Sequence, residues 1–493
     1  MDIKDLREEI NGIDEELVSL FNKRMKLSLR IAQYKKENNL SVFDKAREEE
    51  IINKVITSSS PENRDYIKKL YEDIFSFSRS LQENHINGQY GLLGENLSHS
   101  YSPEIHSFLG DYSYTLFEKE IDEVAPFLEK REFNAINVTI PYKKTVMRYL
   151  DRLDETAEKI CSVNTIIKES DGTLTGYNTD YYGFSYMLSK GNIQVTGKKI
   201  LILGDGGASA TVQAVVKDLE AKEIIVVSRH TDTNYDNIHL HYDADVIINT
   251  TPVGMYPENG ATLVDLDKFK NLSGVADLIY NPVRTKLILD AEKRGINCIS
   301  GLYMLSAQGK KAAELFFKKQ YDDSIIDFIT EKLTFQMKNI VLVSMPGAGK
   351  TTLGKLLAEH YGRKFIDTDD LITEKTGKSI PDIFDEYGEE YFRKTETQVI
   401  KEICKEKSLV IATGGGAVIK EENHDALRQN STVIFINRNI DSLATDSRPL
   451  SMKNNLYEMY QKRLPLYKAV CHYEVDGNGT IEEVAERIGE ILK

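Results

Sequence analysis

At 493 residues the chain is too long for one hydrophobic core, and its length predicts about three domains. A net charge of −14 argues against broad nucleic-acid or membrane-surface binding, yet leaves room for local cationic pockets that take small anions. Any arginine cluster therefore matters. Cys161, Cys298, Cys404 and Cys471 form no CxxC pair, which predicts reduced thiols. The charged opening Met1-Asp2-Ile3-Lys4-Asp5 has no signal-peptide core and no later apolar run reaches membrane-spanning length, so a cytoplasmic location is expected. His239 and His241 lack a third neighbouring ligand and read as a polar surface pair.

In residues 1–86, Ile3, Leu6, Ile10, Ile13, Leu17, Leu20, Phe21, Leu27 and Ile31 recur at three- and four-residue steps. That spacing predicts one long amphipathic helix to about Glu37. Two shorter helices are predicted, from Asp44 to Ile56 and, after Ser58-Ser59-Ser60-Pro61, from Asn63 to Glu83. Arg24 and Lys35 project from nearly the same face of the first helix. Arg7 lies roughly 100° around and about 26 Å along the axis from Arg24, so a pocket using all three needs two chains. Asp44, Arg47 and Glu48 are spaced to share a face, as are Ser78 and Gln82.

This segment resembles the all-helical chorismate mutases, a family of intertwined dimers whose sites each take an arginine from the partner. The resemblance implies rearrangement of chorismate to prephenate without nucleophile or cofactor. It assigns Arg7, Arg24, Arg47 and Ser78 to the substrate carboxylates, Lys35 and Gln82 to the ether oxygen where negative charge develops, and Glu48, near Asp44, to the hydroxyl. A helical module serving only dimerisation is the bland alternative.

In residues 87–335 a strand, Lys199 to Leu203, runs into Gly204-Asp205-Gly206-Gly207-Ala208-Ser209 and a helix start. Such a turn lets a pyrophosphate approach backbone N–H groups at the positive end of a helix. The next strand ends at Ser228-Arg229, where an NAD site would carry an acid; a guanidinium suits a 2′-phosphate, hence NADP. Around this unit stand Ser98-His99-Ser100-Tyr101-Ser102-Pro103, Asn137-Val138-Thr139-Ile140-Pro141-Tyr142-Lys143, Ser162-Val163-Asn164-Thr165 and Gly176-Tyr177-Asn178-Thr179-Asp180. Asn249-Thr250-Thr251-Pro252-Val253-Gly254-Met255, Asp277-Leu278-Ile279-Tyr280-Asn281-Pro282 and Met304-Leu305-Ser306-Ala307-Gln308 follow.

The ordered set resembles shikimate dehydrogenase. Reduction of a ring ketone needs a hydride donor and a proton source at the oxygen. The resemblance makes Lys143 and Asp180 the catalytic pair, Ser100 and Ser102 the carboxylate-binding hydroxyls, and Thr139, Asn164 and Gln308 the groups orienting ring hydroxyls, with Tyr280 also at the substrate. It places Gly204, Gly206, Gly207, Ala208, Ser209, Ser228, Arg229, Thr250 and Gly301 at the cofactor. His99 and His106 are expected to be structural. Two departures stand out: Asp205, where the family has a small residue, is expected near the pyrophosphate, pointing to solvent or weakening affinity, and Ser228 replaces the usual asparagine. Residues 87–185 and about 305–335 are expected to form one split substrate subdomain around the nucleotide unit, 186–304.

In residues 337–493 a second buried strand, Asn339 to Val343, enters Ser344-Met345-Pro346-Gly347-Ala348-Gly349-Lys350-Thr351-Thr352. This is a P-loop with Ser344 in place of the first glycine, a change that leaves the loop geometry open. Phe365-Ile366-Asp367-Thr368-Asp369, Gly388 to Glu396, Thr413-Gly414-Gly415-Gly416-Ala417 and Arg463-Leu464-Pro465-Leu466-Tyr467 follow in the order of shikimate kinase, which the segment resembles. That resemblance makes Lys350 and Asp369 catalytic, with Asp369 deprotonating the acceptor hydroxyl. Thr351 and Asp367 serve Mg²⁺, Arg393 and Arg463 clamp the substrate carboxylate, and Gly414, Gly415 and Gly416 approach the ring. Gly347, Ala348, Gly349, Thr352 and the lid residue Arg448 serve ATP.

The fold class expected is therefore multidomain: an all-α mutase domain, an α/β split substrate domain with a Rossmann NADP-binding domain, and an α/β P-loop kinase domain. Small anionic substrates, NADP(H), ATP and Mg²⁺ are the expected ligands, and a homodimer through the N-terminal helices is the expected assembly. The narrower rivals are a quinate-type NAD dehydrogenase in the middle and a kinase for another small polyol at the end.

Overall fold

A computed structural model describes residues 3–38, 40–87, 89–443 and 453–492 of the chain, in two compact units. The first comprises residues 1–180 and 308–321. It begins with α1 (Ile3–Glu37), α2 (Lys45–Ser58) and α3 (Arg64–Asn87). Asp44 precedes α2 and accepts the Arg47 N–H at 3.0 Å, satisfying one of the amides a helix start leaves open. Ala32 of α1 and Phe75 of α3 are buried, and Phe21 meets Phe77 edge-to-face at 6.3 Å. Most other apolar positions of α1, including Ile3, Ile10, Ile13, Leu17 and Leu20, remain exposed.

A six-stranded sheet follows in the order β2-β1-β3-β5-β6-β4, built from β1 (Tyr90–Gly94), β2 (Tyr114–Glu118), β3 (Ala135–Val138), β4 (Arg152–Leu153), β5 (Thr165–Lys168) and β6 (Leu174–Tyr177). Strands β1 to β3 pair in parallel, whereas β5 runs antiparallel to both β3 and β6. Ala312 and Phe316 return from late in the sequence to bury Tyr90, Ala135 and Ile167, with Phe316 stacked on Tyr90 at 5.5 Å. The split-domain reading thus describes residues 308–321 but not the next helix, Ser324–Met337. That helix belongs to the second unit, where Thr330 donates to Ser306 at 2.9 Å and Asp327 pairs with Lys190 at 2.7 Å.

The second unit holds two all-parallel sheets. One, ordered β11-β10-β9-β7-β8, contains β7 (Lys199–Leu203), β8 (Glu223–Val227), β9 (Val246–Asn249), β10 (Gly274–Asp277) and β11 (Asn297–Ser300). The other, ordered β13-β14-β12-β15-β16, contains β12 (Asn339–Val343), β13 (Lys364–Asp367), β14 (Leu409–Ala412), β15 (Ser431–Asn437) and β16 (Tyr473–Asp476). Continuous Ile, Leu and Val runs in β7, β9 and β12 are buried on both faces, as parallel sheets covered by helices require. In each sheet the order reverses at the first strand, β7 or β12, which opens a crevice at its carboxyl end.

The two sheets are joined by polar contacts rather than by a shared strand. The Arg284 N–H donates to Gln429 O at 2.9 Å, Tyr256 Oη to Cys404 O at 3.2 Å and Lys405 Nζ to Pro257 O at 2.7 Å, while Lys293 pairs with Asp425 at 2.9 Å. Loop 253–262 of the first sheet is thereby tied to the helix Ile380–Ile403 end of the second.

At the end of β10, Asp277 is fully buried and accepts from Thr285 Oγ1 at 2.5 Å, Asn249 Nδ2 at 3.0 Å and the Ile279 N–H at 3.1 Å. It cross-links the loops after β9 and β10. Burial pushes its pKa up to about 6, against those hydrogen bonds. A carboxyl whose folded pKa exceeds its unfolded value costs stability once it must ionise, so this cost grows between about pH 4 and 6 and is complete above. Asp277→Asn should remove that dependence: relative to the parent, its urea midpoint should improve by roughly 1–3 kcal/mol equivalents from pH 4 to pH 7. Parallel pH curves for the two proteins would contradict this assignment.

Candidate functional sites

Four constellations can be built from these elements. In the helical segment, α1 and α3 bring Ser28, Arg24, Ser78 and Gln82 together. Ser28 Oγ donates to Arg24 O at 3.2 Å and lies 2.8 Å from Ser78 Oγ, which accepts from Gln82 Nε2 at 3.1 Å. Among the described residues Arg24 Nη1 and Gln82 Oε1 are buried without hydrogen-bond partners, so a donor and an acceptor stand ready for a polar ligand. Burial lowers the Arg24 pKa, while Tyr71 and Glu48 raise it.

The remaining residues of this set are less closely gathered. Lys35 Nζ donates to Val42 O at 2.6 Å, and Gln82 Nε2 donates to Ser78 Oγ at 3.1 Å. Asp44, Arg47 and Glu48 do not share a face either. Asp44 is spent capping α2, Arg47 reaches outward to Glu50 at 2.7 Å, and Glu48 turns inward to Arg79 at 2.6 Å. Adjacent helical positions point about 100° apart, which separates Arg47 from Glu48. Arg7 is exposed on α1.

In the mixed sheet, Lys143 follows β3 and Asp180 follows β6, and Lys143 Nζ lies 2.6 Å from Asp180 Oδ2. Asn164 sits beside them. Its Oδ1 accepts the Thr179 N–H at 2.7 Å and its Nδ2 donates to Thr179 Oγ1 at 3.0 Å, leaving one amide N–H for another acceptor. Ser100 Oγ accepts the Ser102 N–H at 3.2 Å at the start of helix Ser102–Ser107, and Thr139 and Gln308 are half-buried. His106 is buried against Tyr114 at 4.0 Å and faces Asn137 Oδ1 at 3.1 Å; burial lowers its pKa to about 3, so it stays neutral.

After β7 the chain turns at Gly204, with φ +102°, where a side chain would strike Thr250 and Thr251. Gly206 caps helix Gly207–Asp218 without a side-chain hydrogen bond, and nothing crowds Gly206 or Gly207. Open first-turn amides beneath bare glycines fit a diphosphate. Ala208 is exposed, and Ser209 is buried, its Oγ accepting from Gln213 at 3.1 Å. Thr250 Oγ1 donates to Leu203 O at 2.8 Å, and a side chain at Gly301 would collide with the Leu278 backbone. Tyr280 is half-buried.

Asp205 is exposed, and its Oδ2 accepts a hydrogen bond from Ser228 Oγ at 2.9 Å, which holds it toward the end of β8. The register Leu203↔Val227 puts the two residues side by side. Arg229 is exposed next to them.

At the phosphate loop, Ser344 is buried and donates to Ile436 O at 2.5 Å. Its hydroxyl ties β12 to β15 and points away from the cradle, so the missing first glycine does not obstruct the loop. Gly347 and Gly349 take φ +79° and +85°, and Lys350 Nζ donates to Ser344 O and Met345 O at 3.2 and 3.0 Å. Ala348 is buried, and Thr352 follows in the first turn of helix Lys350–Tyr361. Thr351 Oγ1 donates to Asp367 Oδ2 at 2.8 Å, an all-oxygen pair suited to Mg²⁺. Asp367 also caps the helix that carries Asp369.

The acceptor side is tightly built. Arg393 Nη1 donates to buried Glu396 at 2.7 Å, and Arg463 Nη1 and Tyr467 Oη both donate to Gly415 O, at 2.9 and 2.6 Å. Burial raises the Glu396 pKa and Arg393 opposes it. A side chain at Gly414 would meet Asp369 and Glu396, and one at Gly416 would meet the Arg393 guanidinium. Arg448 lies outside the described residues.

Several known proteins are similar to this chain. A shikimate dehydrogenase (NADP(+)) of Clostridium perfringens strain SM101 is 36% identical over 265 residues, covering 50% of this chain and 97% of that protein. The chain belongs to the shikimate dehydrogenase family. Its relative from Clostridium beijerinckii is 38% identical over 256 residues, 48% of this chain and 94% of that one. The shikimate dehydrogenase substrate binding domain model matches residues 92–166. On either side, chorismate mutase type II matches residues 6–83 and shikimate kinase residues 346–493. A solved chorismate mutase/shikimate 5-dehydrogenase fusion protein from Clostridium acetobutylicum is 38% identical, with a TM-score of 0.48 over 50% of this chain and 96% of that one.

Several residues at the dehydrogenase, mutase and kinase sites escaped the sequence reading. Arg79, Asn137, Thr179, Glu396 and Tyr467 each hold one of the expected residues in place. Glu396 carried a signal, since it stands three positions from Arg393 on one helix. In the kinase domain Gly416→Ala should push the Arg393 guanidinium off Glu396. Overpacking predicts a loss of about 1–3 kcal/mol in urea unfolding of the kinase domain. An unchanged midpoint would contradict the close approach.

Proposed function

We propose that the chain is a trifunctional shikimate-pathway enzyme that converts chorismate to prephenate, reduces 3-dehydroshikimate to shikimate with NADPH, and phosphorylates shikimate with ATP. The single observation that carries this reading is the order of three family matches along one chain, with the mutase and kinase matches covering their constellations and the dehydrogenase match covering the Ser100, Thr139, Lys143 and Asn164 part of its own. The first step needs only shape and charge: Arg24, Ser78 and Gln82, with Lys35, Arg47, Glu48 and a partner's arginine at position 7, hold the compact conformer and meet charge developing on the ether oxygen. The exposed apolar row on α1 supports a homodimer through these helices, since a contiguous patch of that size needs a cover.

In the second step Lys143, polarised by Asp180, moves a proton at the carbonyl oxygen, while Ser100, Ser102, Thr139, Asn164, Tyr280 and Gln308 orient the ring. NADPH, when bound on the glycine turn, supplies the hydride. In the third step Asp369 takes the proton of the acceptor hydroxyl, and Arg393 and Arg463 hold the carboxylate above Gly414 to Gly416. The P-loop amides and Lys350 neutralise the transferring phosphoryl group, with Thr351 and Asp367 as the residues that would hold Mg²⁺.

Three assays on the full chain test this reading: loss of chorismate absorbance without nucleotide, NADPH oxidation with 3-dehydroshikimate, and ADP formation with shikimate. Lys143→Met should lower the second rate by about 10²-fold or more and leave the others within about twofold. Mixing folded chains carrying Arg7→Ala with chains carrying Lys35→Ala should restore part of the mutase rate. No chorismate loss from a folded dimer would instead make the N-terminal helices a dimerisation or regulatory module on a dehydrogenase–kinase pair.

A further inference from the structure

The carboxylate in the glycine turn has no part in the reading above. Strands β7 and β8 pair in register, so the residues just past them, Asp205 on one side and Ser228 and Arg229 on the other, share one edge of the sheet. In a dinucleotide fold that edge receives the adenosine ribose, and a carboxylate there accepts a hydrogen bond from the 2′-hydroxyl while a guanidinium donates to a 2′-phosphate. Here the strand end supplies the guanidinium and the turn supplies the carboxylate. Ser228 is buried, and its hydroxyl donates to Asp205 while accepting the His230 N–H at 2.9 Å and Thr231 Oγ1 at 3.3 Å. With its hydroxyl fully committed, Ser228 serves as a fixed post that aims Asp205 at the ribose side. Asp205 is otherwise exposed, leaving its second oxygen open to a ligand. Arg229 is exposed as well and forms no ion pair among the described residues. Tyr235, whose pKa is raised by burial, also feels Arg229 lowering it and Asp205 raising it, which places both charges beside one ring.

We propose that Asp205 is a specificity-determining residue of the dehydrogenase: held by Ser228 beside Arg229, it accepts the ribose 2′-hydroxyl of NADH and repels the 2′-phosphate of NADPH, so the chain takes both nucleotides. This rests on the reading of the glycine turn as a dinucleotide site. An acid in this turn offsets the preference that Arg229 alone sets, and like charges brought together across a ligand site act against that ligand.

Equilibrium titration of the full chain with NADPH and with NADH, followed by emission of the bound reduced nicotinamide, separates the possibilities without turnover. That emission also excludes signal from adenine nucleotides on the kinase P-loop. Asp205→Asn keeps an acceptor for Ser228 and removes the charge; it should tighten NADPH about tenfold and weaken or leave NADH, shifting their Kd ratio accordingly. Asp205→Ala should shift the ratio the same way, and Arg229→Ala should weaken NADPH alone. A Kd ratio unchanged within twofold in both Asp205 variants, with Arg229→Ala still weakening NADPH, would overturn the role of Asp205 and leave the dinucleotide site standing. Failure of the parent chain to bind either nucleotide would overturn the site itself.

Discussion

Backbone amides left open at the first turn of a helix are the constraint from which both nucleotide sites follow. A buried parallel strand delivers the chain to a point where its next amides have no strand partner, and only glycine makes the turn without a side chain in the way. At Gly204 the obstacle is Thr250 and Thr251; at Gly347 and Gly349 it is the positive φ itself. The same local solution appears twice, at the reversing strand of each parallel sheet. What differs is the polar residue inserted into each turn. Ser344 is absorbed by Ile436 and alters nothing at the cradle, whereas Asp205 is passed by Ser228 to the ligand side.

The expected anion sites are assembled as ion pairs before any substrate arrives. Lys143 stands on Asp180, Arg393 on Glu396, and Glu48 on Arg79. In a chain carrying −14 overall, cations for carboxylated rings must be held locally, and an acid partner fixes their geometry in a partly buried setting. The buried Glu396 also explains why glycine recurs at 414 and 416, since side chains there would displace the pair. The dehydrogenase nucleotide sheet and the kinase sheet are further bound by Tyr256, Arg284, Lys293 and Lys405, so the two α/β halves of the second unit form one body.

Much of this was legible where chemistry follows the local chain. The strand-to-glycine-to-helix segments, the P-loop and the amphipathic period of α1 are all short-range patterns, and the structure places the two glycine turns at strand ends and helix starts. Residues 308–321 return to the first sheet from far along the chain. The helix Ser324–Met337 was assigned to the wrong partner because its apolar positions say that it packs, not against what. Arg79 and Tyr467 were missed because their roles depend on elements brought together only by the fold. The hydrogen bond from Ser228 to Asp205 is not legible in the sequence, because it follows from the pairing of β7 with β8, which a motif does not specify.

The central claim is that the dehydrogenase and kinase parts of one chain act on the same carboxylated ring in consecutive steps. The most direct measurement supplies the full chain with 3-dehydroshikimate, NADPH, ATP and Mg²⁺ and follows nucleotide consumption at both sites. One ADP should form for each NADPH oxidised, with ADP formation abolished when NADPH is omitted. NADPH oxidation with no ADP, or ADP formed equally without NADPH, would contradict it.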